Sequence, residues 1–310
     1  MRVLLTGASG FLGRRLVAKL AGLGHELVAL VRSPIVSLHV EQWVLPALEG
    51  NGLASALDGR AFDAFVNVAA AGVRPDDRAA TVLTEINALL PCLLLNHAKQ
   101  CGAGAFIHIG SSSEYAAQSN FAPLSENAPL ENSKLYGATK AAGTLLASAH
   151  GKALDLPVAC LRLFNIFGPG EADHRLFPSL VSRLQRHERV PLSAGNQIRD
   201  FMHIDDACDA IVTALLGLKA NSNLAGIYNV ASGEGTSVRG FASQVARCVG
   251  NSDTLLDFGA VPLRADDLPF VVGDPSAFKN SFGWSPSMNL HGATDAAVFE
   301  MLAQQSNDQG

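Results

Sequence analysis

Tyr136 and Lys140 stand four residues apart in the stretch Ser133-Lys-Leu-Tyr-Gly-Ala-Thr-Lys140. On a helix that spacing puts both side chains on one face. A phenol has an ordinary pKa of about 10 and exchanges protons poorly at neutral pH. An ammonium beside it favours the phenolate, and the pair then becomes competent to give a proton to a carbonyl or take one from a hydroxyl. A Tyr-x-x-x-Lys pair by itself reads as readily as a solvated helix face. Here it has company: a glycine-rich N-terminus, a serine run in which Ser112 lies 24 residues before Tyr136, and an amphipathic run after Lys140.

The glycines come first in the chain. The aliphatic run Arg2–Thr6 reads as a buried parallel strand, and Gly7-Ala-Ser9-Gly10-Phe11-Leu12-Gly13 follows it at once. Residues 14–23 then show helical spacing. Strand, glycine turn and helix in that order make a dinucleotide site, because bare backbone lets a pyrophosphate approach the free amides of a helix N-terminus. The spacing is Gly-x-x-Gly-x-x-Gly, not the commoner Gly-x-Gly-x-x-Gly. A second strand, Glu26–Val31, runs into Arg32 and Ser33, with no carboxylate where one would hold the ribose hydroxyls of NAD. Arg32 and Ser33 suit a 2′-phosphate, so NADP is the expected cofactor and NAD the alternative. Arg32 also reads as a solvated loop arginine. Residues 62–68 form a strand pattern whose small residues Ala69 and Ala70 leave room for a cofactor. Residues 81–98 form a helix pattern containing Asn87, and 105–109 form a strand entering Ser111-Ser112-Ser113-Glu114-Tyr115. Such alternation predicts an α/β fold: a Rossmann-type doubly wound parallel sheet with ligands at the carboxyl ends of its strands.

Composition fits that picture. The 310 residues are 48% hydrophobic and 16% charged, with a net charge of -5. The chain has no basic stripe, which argues against a nucleic-acid partner. It has no apolar run of the roughly 18 residues a membrane span needs. The N-terminus lacks a signal-peptide layout, and five scattered cysteines without a Cys-x-x-Cys read as reduced thiols, so a cytoplasmic location is expected. No metal site is expected: Asp205 and Asp206 open the helix pattern 207–218 and read as capping residues.

Gly7, Gly10 and Gly13, the string Asn67-Val68-Ala69-Ala70, the serine run and Tyr136 with Lys140 together resemble the extended short-chain dehydrogenase/reductases. The likeness is to the nucleotide-sugar epimerase/dehydratase/reductase branch, and it extends to about Pro286. It implies a carbohydrate-biosynthesis enzyme with a Ser-Tyr-Lys triad. Tyr136 would be the acid/base, and Lys140 its pKa modifier and a ribose ligand. Ser112 would hold the reacting oxygen, with Ser111 and Ser113 as neighbours that otherwise cap the loop. By the same resemblance Asn87 supports the cofactor site and Asn165 touches substrate. Arg199, with Arg264 as a second arginine, would bind the nucleotide diphosphate. Glu114 reads either as a substrate-facing carboxylate, as in the 4,6-dehydratases, or as part of a Ser-Ser-x-Glu-Tyr string found in some reductases. The expected layout is a dinucleotide-binding domain over 1–165, to which 204–232 return. A smaller C-terminal α/β substrate lobe would use 166–203 and 233–303, and 304–310 would be a disordered tail. The resemblance also implies a homodimer through the helices over 81–98 and 136–150. The reaction expected is NADPH reduction of a 4-keto-6-deoxy sugar nucleotide. A 4-epimerase with tightly held NAD, a 4,6-dehydratase and a non-catalytic NADP sensor are the alternatives.

Overall fold

Successive side chains of a strand point to opposite faces, so a strand apolar at every position must be covered on both sides. The computed structural model describes residues 1–46, 50–73, 79–250, 253–263 and 267–307. Its first part comprises β1 (Arg2–Thr6), α1 (Phe11–Gly22), β2 (Glu26–Val31), β3 (Glu41–Val44), α2 (Gly50–Leu57) and β4 (Ala64–Asn67). A continuous helical run follows: α3 (Ala80–Leu83), a π-helical segment (Thr84–Leu89) and α4 (Leu90–Gln100). Then come β5 (Phe106–Ser111), α5 (Leu135–Ala153) and β6 (Val158–Leu163). The second part holds β7 (Asn165–Phe167), α6 (Leu176–Gln185), β8 (Val190–Leu192), β9 (Ile198–Arg199), β10 (Phe201–His203), α7 (Ile204–Ala220) and β11 (Gly226–Val230). It ends with β12 (Thr236–Ser237), α8 (Val238–Cys248), β13 (Leu256–Phe258), β14 (Phe270–Val271), α9 (Ser276–Phe282) and α10 (Leu290–Asn307).

Seven strands form one sheet in the order β11-β6-β5-β4-β1-β2-β3, and every pairing in it is parallel. Val3, Leu5, Ile107, Ile109 and Leu161 face α1 and α7. Leu4, Phe65, Phe106, Val158 and Cys160 face α2, α4 and α5. Smaller sheets, β10-β7, β12-β9-β14 and β13-β8, lie in the C-terminal part with a core of their own, where Phe201 stacks on Phe241 at 4.0 Å.

Close approach of α5 is set by glycine. A Cβ on Gly143 would lie 1.9 Å from the carbonyl oxygen of Asn87, and one on Gly151 2.2 Å from Val158 Cγ2. The facing run also departs from the single helix expected over 81–98. Pro91 has no N–H for the carbonyl four residues back, that of Asn87, and its ring crowds that carbonyl. The run widens there into the π segment.

Two other expectations change. The N-cap of α7 is His203, whose Nδ1 accepts from the amide of Asp205 at 3.2 Å. Asp205 instead takes Nε and NH2 of Arg15, and Asp206 accepts from the amide and hydroxyl of Ser287 at 2.8 and 2.7 Å. Arg15 also reaches Glu300, which joins α1, α7 and α10. That arginine holds the Asp205 carboxyl below its usual range. The tail is helical for longer than expected: α10 runs to Asn307, and Gln304 Nε2 donates to Glu300 Oε1 at 3.0 Å.

Urea denaturation will test the packing of α5. Gly143→Ala is expected to cost about 1–3 kcal/mol, because the new methyl would run into the backbone of Asn87 and Ala88. Gly22→Ala, with nothing within 4 Å of its Cβ, is expected to be neutral or to gain up to about 1 kcal/mol of helix propensity.

Candidate active site

The three glycines after β1 have different tasks. Gly7 has φ +75°, and a Cβ there would lie 2.7 Å from Ala69 N. On Gly13 a Cβ would lie 2.0 Å from the Gly7 carbonyl oxygen, so α1 sits directly on the turn. Gly10 is exposed, and a Cβ there would meet only Gly7 O, at 3.4 Å. The fold therefore demands Gly7 and Gly13. Gly10 is the N-cap of α1 without any side-chain cap, and it presents bare backbone outward. These residues fit a dinucleotide pyrophosphate. Ser9 is exposed in the turn, and Phe11 and Leu12 are half-buried at the start of α1. Arg32 and Ser33 lie exposed just past β2; past β4, Ala69 is half-buried and Ala70 exposed.

A row of polar side chains crosses the sheet beneath this edge. The hydroxyl of Thr6 donates to Asn67 Oδ1 at 2.7 Å, and Asn67 Nδ2 meets His108 Nδ1 at 3.1 Å. The amide must be the donor there, so the His108 ring is neutral with its hydrogen on Nε2. Burial, with the charge of Lys140 beside it, pushes the ring's pKa well below the usual range.

β5 ends at Ser111 and turns through Ser112–Glu114. Ser111 Oγ accepts from the amide of Ser113 at 3.1 Å, while Glu114 Oε1 accepts from the amide of Ser111 at 2.9 Å. This reciprocal box fixes the turn. Ser111 and Ser112 are half-buried and Ser113 is exposed. Glu114 corrects an expectation. It is wholly buried, and its oxygens also accept from Thr144 Oγ1 at 2.9 Å and Arg162 Nε at 2.7 Å. A carboxylate held inside on all these bonds does not face a substrate. Burial pushes its pKa up, against the pull of Arg162. Arg162 had passed unnoticed, although an arginine inside the apolar strand Val-Ala-Cys-Leu-Arg-Leu is a signal that a buried partner awaits it.

Tyr136 and Lys140 lie on α5, the tyrosine half-buried and the lysine wholly buried. Lys140 Nζ donates to the Ile109 carbonyl at 2.6 Å and has two further hydrogens to give. Burial lowers its pKa, opposed by Glu114. Gly137 decides where Tyr136 sits, because a Cβ there would lie 2.2 Å from the Ser113 carbonyl oxygen. The first turn of α5 thus rests on the serine turn. Glu131, also missed, organises the entry to α5 by accepting from Ser133 N and Oγ at 2.7 and 2.6 Å and from Lys134 N at 3.2 Å. Asn87 was expected to support the cofactor site. It is wholly buried, accepts from Ala71 N at 2.9 Å and donates to Ala71 O and Thr139 Oγ1, both at 3.2 Å. Its side chain clamps the exit of β4 to α5.

In the C-terminal part Asn165 is half-buried in β7, opposite Phe201. Arg199 is buried, with its guanidinium on Asp267 Oδ1 and on Ile198 O. Arg264 and the loop 74–78 lie outside the described residues. A cavity of about 320 Å³ opens elsewhere, lined by Met202, Asp206, Lys279 and Ser287. None of the expected site residues lines it, so the site is placed by hydrogen bonds and packing. Among the described residues no cluster of His, Cys, Asp or Glu could hold a metal ion, and no helix is long and apolar enough to cross a membrane.

Residues 3–231 match the NAD dependent epimerase/dehydratase family. The chain belongs to this family. Epimerase/dehydratase family members are NAD(P)-dependent enzymes that modify nucleotide sugars. One relative is the CDP-abequose synthase of Salmonella typhimurium, 23% identical over 292 residues, covering 93% of this chain and 94% of that protein. Another is the dTDP-6-deoxy-L-talose 4-dehydrogenase (NAD(P)+) of Kitasatospora kifunensis, 25% identical over 328 residues, with 98% and 96% covered. The structure of MoeE5 with UDP-glucuronic acid and NAD superposes with a TM-score of 0.84 at 26% identity, covering 98% of this chain and all of that one. The seven-stranded fold is therefore that of the family.

A pH series will test the buried row. A ring kept neutral by the fold takes up its proton only in the unfolded chain, so stability is lost as pH falls through about 6.5. Urea midpoints at pH 7.5 and 5.5 should drop for the native sequence and drop less for His108→Gln.

Proposed function

We propose that the protein is an NADP-dependent reductase of a 4-keto-6-deoxy sugar nucleotide. The observation that carries this reading is the end of β2, where Arg32 and Ser33 stand exposed and no carboxylate follows Val31. An arginine there favours a 2′-phosphate, and NADPH suits net reduction. A relative named as a 4-dehydrogenase using NAD(P)+ supports C4 as the reacting carbon.

The nicotinamide, when bound, would supply hydride to that carbon. Tyr136 gives its proton to the ketone oxygen, and the charge of Lys140 keeps the phenolate left behind favourable. A serine hydroxyl holds the same oxygen. Spacing selects Ser112 for this, and Ser111, oriented by its cap, stands beside it. Gly7, Ser9, Gly10, Phe11, Leu12 and Gly13 form the pyrophosphate side of the site, with Ala69 and Ala70 flanking the cofactor. Lys140 also reaches the nicotinamide ribose. Ser113 and Asn165 contact the sugar, and Arg199 turns its unused donors to the diphosphate, for which Arg264 would be a second arginine. The second reading, a 4-epimerase that keeps NAD through each turnover, is favoured by the NAD in MoeE5. The buried bonds of Glu114 weigh against a 4,6-dehydratase that would use it as base.

A homodimer belongs to this reading. Leu89, Leu145 and Leu146 are 54%, 49% and 41% exposed on the helices of the α4 and α5 side. Sedimentation should show a dimer for the native chain and a monomer for Leu89→Glu combined with Leu145→Glu. For catalysis, the purified chain is mixed with NADPH and a panel of nucleotide 4-keto-6-deoxy sugars while nicotinamide absorbance is followed. Stoichiometric loss with one of them is expected, and Tyr136→Phe should lower that rate by about 10²–10⁴-fold. No loss across the panel, with epimerisation of a nucleotide hexose instead, would replace this reading with the second.

A further inference from the structure

We infer that Gln42 sets the cofactor preference, by bracing the turn after β2 in the shape that presents Arg32 and Ser33 to a 2′-phosphate. This rests on the NADP reading above and goes one residue further. β1 and β2 are neighbours in register, with Thr6 opposite Leu30. Two chains therefore leave the sheet side by side: the glycine turn that begins at Gly7, and the turn that begins at Arg32. The first is held by its glycines and by α1. The second, from 32 to 40, contains no helix or strand.

One side chain makes three of the hydrogen bonds that hold the second turn. Gln42 Oε1 accepts from the amide of Ile35 at 2.8 Å. Its Nε2 donates to the carbonyls of Ile35 at 2.9 Å and Leu38 at 3.0 Å. Both amide hydrogens and an oxygen lone pair are thus spent on the turn's backbone. Leu38 N closes the loop on Ile35 O at 3.1 Å, and Leu45 N secures its base by donating to Val31 O at 2.8 Å. Gln42 stands opposite Ala29, which belongs to the core on the α1 face. Its amide therefore rises on the side of the sheet where the glycine turn and its helix lie. Leu38 is buried and Ile35 packs on the same core, while Val36 at the apex is 96% exposed. The turn is anchored from below and open above, as a cradle for a ligand group must be.

A charged loop free to move would have to be ordered when the phosphate binds, and that cost reduces affinity. With the brace in place the backbone at Ile35 and Leu38 is ordered before binding. Gln42 touches no cofactor and acts only through Arg32 and Ser33. Its removal should therefore cost the 2′-phosphate and spare the rest of the dinucleotide, which rests on the glycines.

The test is calorimetric titration of the full chain with adenosine 2′,5′-bisphosphate and, separately, adenosine 5′-phosphate. The native chain is expected to prefer the bisphosphate by about 10-fold or more. Gln42→Ala is expected to reduce that preference to about 3-fold or less, with binding of the monophosphate changed by less than about 2-fold. Gln42→Glu keeps the acceptor for Ile35 N but sets a carboxylate oxygen against two carbonyls, so it should lose the preference as well. Both changes sit at a half-exposed position of an edge strand, where folding tolerates them. No preference in the native chain would overturn the NADP reading and this inference with it. A preference retained by both variants would overturn the role of Gln42 and leave the NADP reading standing. Equal losses for both nucleotides would reduce Gln42 to a structural residue and overturn the inference likewise.

Discussion

The ion pair of Glu114 with Arg162 is the interaction on which the site's geometry depends. Both side chains are almost wholly buried. Charges taken out of water are tolerated only when paired and hydrogen-bonded, and removing one partner of such a pair costs about 3–5 kcal/mol. Here the carboxylate also receives the amide of Ser111 and the hydroxyl of Thr144 on α5. Arg162 goes on to Tyr115 Oη at 3.0 Å and the Glu126 carbonyl at 3.1 Å, and Tyr115 Oη donates to Asn229 Oδ1 at 2.5 Å. Burial pushes the pKa of Tyr115 up to about 12, so it stays a donor. One pair thus ties the end of β5, the serine turn, α5, β6 and β11 into a single unit.

A second constraint works through absence of side chains. Gly137, Gly143 and Gly151 recur along one side of α5, and each meets a neighbour that no methyl could approach so closely. The helix carrying Tyr136 and Lys140 is thereby pressed onto the serine turn, the π segment and β6. Catalytic groups need placement to within a fraction of an ångström, and backbone-to-backbone contact is stiffer than contact through long side chains.

Much of this was legible from the residues in order. The glycine turn, the shared face of Tyr136 and Lys140, and the alternation of strands and helices are local patterns, and a period of 2 or 3.6 reveals them. What was not legible depends on partners far along the chain. Glu114 looked available because Arg162 is 48 positions away, and the clamp that Asn87 makes was hidden because Thr139 is 52 away. Asp205 looked like a cap until Arg15, 190 positions earlier, claimed it. The π segment had one sequence signal, Pro91, whose ring crowds the Asn87 carbonyl, but nothing local showed that Gly143 of another helix would pack on that same carbonyl. Gln42 gave no signal at all, since a glutamine on an edge strand is unremarkable until the turn beneath its amide is seen.

The position of β11 in the sheet has a consequence for synthesis. β6 is buried along its whole length, and one of its edges pairs with β11, which begins at Gly226. While the chain emerges from the ribosome, that apolar edge stays bare until well over half the polypeptide has been made. An uncovered strand edge of this kind is a template for pairing with another chain. A premature stop between the two strands would leave a fragment that retains the glycine turn and the Tyr136–Lys140 pair yet is prone to stick to its own kind. Once translation has reached β11, the wholly buried strand lies inside the sheet, and the edge passes to a strand whose first two residues, Gly226 and Ile227, are half-exposed.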